Sequence, residues 1–126
     1  MLRSNIGFSR GVCRTWVVVL LALVCGACTD SDQLTEKLPS SEQFGLRYQL
    51  RKCGVSIPSN IAEGCSRKSN KEFKRFLEIA LGSAFEMETQ FLGAQRIGFY
   101  EPDELSEAFE LIDKEQRKIN SFMSRL

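Results

Sequence analysis

Arg47, Arg51, Lys52, Arg67, Lys68, Lys71, Lys74 and Arg75 are the side chains whose type and spacing best suggest a chemical task. Between Arg47 and Arg75 only Glu63 and Glu72 oppose them, and acids dominate from Phe76 onward. A formal net charge of +1 therefore conceals a dipolar chain. Lys71, Lys74 and Arg75 share one face of a helix by three- and four-residue spacing. Such a row can follow a phosphate backbone, each contact adding a salt-dependent increment of affinity. The competing reading is a solvated face that pairs with the acidic last helix of the same or a neighbouring subunit. Cations in a first helical turn also oppose the helix dipole, a mild local cost that hints at a use for them.

Other chemistries have thinner support. The chain contains no histidine, which removes the commonest general base and metal ligand. Glu86 and Glu88 are two residues apart and do not face each other on a helix. With no second acidic pair at ligand spacing, neither a metal nor a cofactor is expected. Ser56 and Ser59 have no base in view that would activate a nucleophile. Cys25 and Cys28 have redox-motif spacing but lie in an apolar run, without the strand-then-helix setting that such a motif uses. Cys53 and Cys65 read as small apolar core residues, able to form a disulfide only if their Cα atoms come within roughly 7 Å. The expectation is a protein that is not an enzyme.

The elements that must position the cations are helical throughout. With 126 residues, 43% apolar and 26% charged, the chain suits one soluble domain with a single core. Ser40 and Gln43 have capping-box spacing after Pro39 and predict a helix carrying Phe44, Leu46, Leu50, Cys53, Ile57 and Ile61 inward. Pro58 predicts a kink. Ser56, Ser59 and Asn60 are placed to satisfy the backbone groups the proline disturbs. Asn60 and Glu63 are expected to fix this helix against its neighbour, and Gly64 to suit its end. Ser69 and Glu72 form a second capping box, opening a long helix to about Ile97 that Gly98 ends. Its seam is Phe73, Leu77, Ala80, Ala84, Met87, Phe91 and Ala94, widened by Phe76, Leu81, Phe85 and Leu92. Gly82 costs about 1 kcal/mol relative to alanine, which predicts the close approach of another helix. Pro102, with acids around it, starts a last helix with its seam at Leu105, Phe109, Ile112, Gln116, Ile119, Met123 and Leu126.

Residues 1–30 differ from residues 31–126. Arg3, Arg10 and Arg14 precede an uncharged run from Thr15 to Thr29, apolar on every side and shorter than the roughly 20 residues that span a bilayer comfortably. This is the pattern of a secretory signal, with cleavage after Ala27 and Cys28 as a lipoprotein-like first residue. The alternatives are an atypical, apolar first helix of the bundle or a start assigned too far upstream. The second and third readings leave the protein in the cytoplasm. The first would export it or anchor it to a membrane through residues 1–28.

The stretch from Val55 to Gly64, Phe44-Gly45-Leu46, and the pattern from Phe73 to Gln90 are together specific. From about Leu34 to Leu126 the chain resembles the small four helix bundle proteins encoded in intervening sequences of bacterial large-subunit ribosomal RNA genes. The resemblance implies an all-α, antiparallel up-and-down four-helix bundle in which Ser56, Pro58, Ser59, Asn60, Glu63 and Gly64 form a structural signature. It implies no reaction. A related branch, the accessory variability determinant of diversity-generating retroelements, is a homopentamer that binds nucleic acid and a reverse transcriptase through basic surface. The expected partners are thus further copies of the chain, RNA or DNA, and a protein. The leading functional reading is a self-associating bundle that binds nucleic acid through its basic segment. The alternative is a structural or protein-partner module.

Overall fold

The structure is a computed structural model that describes residues 30–126. The apolar run from Thr15 to Thr29, and with it Cys13, Cys25 and Cys28, lies outside the described residues. Among the described residues the fold is all-helical. Helix α1 covers 30–36, a 3-10 turn Ser40–Glu42 follows, and then come α2 (Leu46–Cys65), α3 (Asn70–Ile97) and α4 (Pro102–Met123).

Successive helices run antiparallel. Ser56 of α2 meets Ser83 of α3, while Gly64, at the end of α2, meets Phe73, near the start of α3. Gln116 of α4 reaches Glu88, and Phe122 stacks edge-on against Phe73 with ring centroids 5.5 Å apart. Helix α1 closes the bundle between α2 and α4. Arg47 and Arg51 hold it from one side, Tyr100 and Glu104 from the other.

The core is built from Leu50, Ile61, Leu77, Met87, Phe91, Leu105 and Ile119, all essentially inaccessible to solvent. Each such side chain stabilises the fold by about 1.5–3 kcal/mol through burial alone. The expected seams of α3 and α4 occupy this core, except that Phe109 and Leu126 are only half-buried at its margin.

Several local expectations are corrected. Ser40 opens only the 3-10 turn and makes no capping hydrogen bond. The amide of Leu46 instead finds the carboxylate of Glu42, at 3.1 Å, so α2 starts later than the sequence pattern suggests. Phe44 precedes that start and is exposed rather than buried. Pro58 lies inside α2, which runs on past it to Cys65, as kinked and straight helices both do. Phe85 and Leu92 do not widen the buried stripe of α3, because they lie on its outer face. The boundaries of α3 agree with expectation: Ser69 accepts the amide of Glu72 at 3.2 Å, and Gly98 takes a left-handed conformation at φ 94° that a side chain would strain.

Candidate nucleic-acid interface

The fold divides the eight cations into two groups and treats them differently. Arg47, Arg51 and Lys52 lie in the first half of α2, and Arg67 to Arg75 lie at the loop and first turns of α3. Arg51 and Arg67 are about 24 Å apart along the helix direction, too far for one compact patch.

Arg47 is occupied inside the protein. Its Nε donates to the carbonyl of Thr35 at 3.0 Å, and its Nη2 to those of Glu36 and Leu38 at 3.1 and 2.9 Å. These carbonyls belong to the end of α1 and the chain just beyond it, where a helix leaves acceptors unsatisfied. Arg51 donates to Asp32 at 2.9 Å and to Thr35 Oγ1 at 3.2 Å, and it also pairs with Glu36. The phenol of Tyr100 completes the clasp by donating to the carbonyl of Leu34 at 2.6 Å. Burial pushes that phenol up to about 12, so it remains a donor at physiological pH. Lys52 is exposed, but it has neither of these arginines available beside it for a phosphate.

At the other end of the α2–α3 hairpin the cations face outward. Arg67 ion-pairs with Glu63 at 2.5 Å and lies 4.7 Å above the ring of Phe76, which fixes its guanidinium across the loop. Lys68, Lys71, Lys74 and Arg75 are exposed, and none makes an ion pair among the described residues. The acids of α4 do not reach them. Their described ion pairs run instead to Lys37, Arg117 and Lys118. Glu72 is drawn back to Ser69 at 3.2 Å, which leaves the lysines around it uncompensated.

The signature segment holds the hairpin together. Asn60 donates to the carbonyl and the hydroxyl of Ser56 at 2.8 and 3.0 Å, and that hydroxyl pairs with Ser83 of α3 at 2.8 Å. Asn60 therefore acts on its neighbour through Ser56. The carboxylate of Glu63 accepts from Arg67, not from the neighbouring helix, in its described side-chain hydrogen bond. Ser59 is exposed and Pro58 half-buried. Gly64 is not present for the helix end. A Cβ there would meet Phe73 at 2.6 Å and Phe76 at 2.9 Å, so the glycine lets the start of α3 close on α2.

No cluster of His, Cys, Asp or Glu able to hold a metal occurs among the described residues. Cys53 is buried, and desolvation, with Glu86 beside it, pushes its thiol up to about 11. Cys65 donates to the carbonyl of Ile61 at 2.9 Å. The two cysteines are about 18 Å apart along one helix, well beyond disulfide reach. No helix among the described residues is long and apolar enough to cross a membrane.

With the bundle and its basic end described, comparison with known proteins assigns the lineage. The family model of the 23S rRNA-intervening sequence protein matches residues 25–121. The chain belongs to this family. A comparison with individually curated proteins gives no match. The match takes in α1, α2, α3 and nearly all of α4, so both the clasp around α1 and the basic end lie inside the intervening-sequence domain.

Proposed function

We propose that this intervening-sequence protein is a non-enzymatic, self-associating bundle that binds nucleic acid through the basic end of its α2–α3 hairpin. One observation carries this reading: Lys68, Lys71, Lys74 and Arg75 stand together, exposed and without an acid partner among the described residues. Cations that form no ion pair with the acids around them are suited to exchanging counterions for phosphates. Arg67, held over Phe76, extends the row across the loop. Arg47 and Arg51 are left out of the proposed contact, because α1 holds donors of both.

The test replaces Lys71, Lys74 and Arg75 with glutamate and measures binding to an RNA hairpin and to a DNA duplex over a salt series. The variant should remain helical. It should bind at least tenfold more weakly, with a salt slope smaller by about 2–3, close to one unit for each lost phosphate contact. An unchanged affinity and slope would remove the basic end as the contact. Comparing the two probes identifies the preferred nucleic acid.

A further inference from the structure

Arg67 stands apart from the other cations at the tip of the α2–α3 hairpin. Its Nη2 donates to the carboxylate of Glu63 at 2.5 Å, and its guanidinium carbon lies 4.7 Å from the centroid of the Phe76 ring. The loop that carries it is pinned as well. The amide of Arg67 donates to the carbonyl of Gly64 at 3.1 Å, and the hydroxyl of Ser66 to that of Glu63 at 2.7 Å. Gly64 also seats Phe76, whose Cβ would lie 2.9 Å from a side chain at that position. An arginine head is planar, and a ring and an acid together set its plane here. The side chain nonetheless keeps 38% of its accessible surface.

That arrangement suits Arg67 poorly for a phosphate and well for a flat partner. Glu63 already meets its charge, whereas Lys68, Lys71, Lys74 and Arg75 form no ion pair among the described residues. Phe76 takes one face of the guanidinium, and the face turned away from it is the one a further flat ring can take. Bases inside a regular duplex are stacked on both sides and have no face to offer. An unpaired base has one, and splayed-out bases stack on arginine planes as they do on aromatic rings. Arg75, the other arginine of the tip, lies over no ring among the described residues. Lys68 in the loop and Lys71 in the first turn of α3 are exposed and available to the phosphates that flank such a base.

We infer that Arg67, laid on Phe76, is a stacking platform for an unpaired nucleobase, so that the basic end takes looped or single-stranded nucleic acid in preference to a regular duplex. The inference rests on the nucleic-acid contact in the proposed function and names the ligand class of that site. Preorganisation makes the platform effective. The ion pair and the ring hold the side chain before the base arrives, so little further ordering opposes the stack.

The test uses the full-length chain and two RNA probes with equal numbers of phosphates, a hairpin with 2-aminopurine in its loop and a regular duplex. The parent should bind the hairpin more tightly by about fivefold or more, the lower end of what one stacked base contributes. The 2-aminopurine fluorescence should change on binding. Arg67→Lys keeps the charge but not the plane. It should lose both the preference and the fluorescence change, while duplex affinity and its salt slope stay as they were. Phe76→Leu removes the ring beneath and should move both readouts the same way, with far-UV circular dichroism still helical. A DNA hairpin of the same sequence separates the base, common to both, from the ribose 2′-hydroxyl. Equal affinity of the parent for the two probes, or an Arg67→Lys variant that keeps the preference or weakens both probes alike, would each overturn the inference. If the Lys71, Lys74 and Arg75 variant loses both probes while Arg67→Lys changes neither, the platform is wrong and the proposed function stands. A parent that binds neither probe removes both.

Discussion

Arg47 was read in the sequence as one cation in a basic run, yet its guanidinium closes three carbonyls at the end of α1. The chain turns there before α2; the carbonyl of Thr35 also accepts the amide of Leu38 and the contact to Glu36 is exposed, so the part-buried carbonyl of Leu38 is the acceptor that depends most on this guanidinium. Replacing Arg47 with alanine should lower the unfolding free energy by about 2–3 kcal/mol, the range for hydrogen bonds to a charged group. Lysine should recover only part of the loss, since an ammonium cannot reproduce the planar fork that serves three acceptors. Urea unfolding is the check: the midpoint should fall with little change in slope. Nucleic-acid affinity should not follow, because this arginine faces inward. Sequence could not have separated Arg47 from Lys71. Both are basic residues in helical surroundings, and only the return of α1 decides which of them is occupied.

At the scale of the elements, capping chemistry was the more legible part. Ser69, Gly98 and Pro102 mark their helix ends as their residue types require. Ser40 misled because the amide of Gln43 goes to the backbone carbonyl of Ser40 in the 3-10 turn, and the start of α2 is held at Leu46 by Glu42 instead. The start of α4 makes a testable case. The backbone amide of Glu101 donates to Glu104 at 2.8 Å, and Lys37 of the α1 turn lies 3.3 Å from the same carboxyl group. The amide first, and then the lysine, hold this carboxyl below the usual range. Its folded value is thus lower than its unfolded value of about 4.3, so the stability it contributes is present above that pH. That contribution is lost as pH falls through the folded value. Thermal melts between pH 6 and 3, as round values spanning this window, should decline less steeply for Glu104→Gln than for the parent. Outer faces were less legible than caps. Phe85 and Leu92 fit a wide inner stripe by period, and only the placement of α2 and α4 around α3 turns them outward.

For the whole molecule, the all-helical bundle could be read from its seams, because each helix of a small bundle buries one stripe and exposes the rest. Which exposed residues do something was not readable in the same way, since a solvated charge and a waiting one look alike in a sequence. The antiparallel course of α2 and α3 has a geometric consequence for the basic end. Lys71 and Arg75 are about 6 Å apart along α3, so one tip covers about two base pairs of a duplex rising about 3.4 Å per pair, and affinity measured against duplex length should rise gradually, without a step.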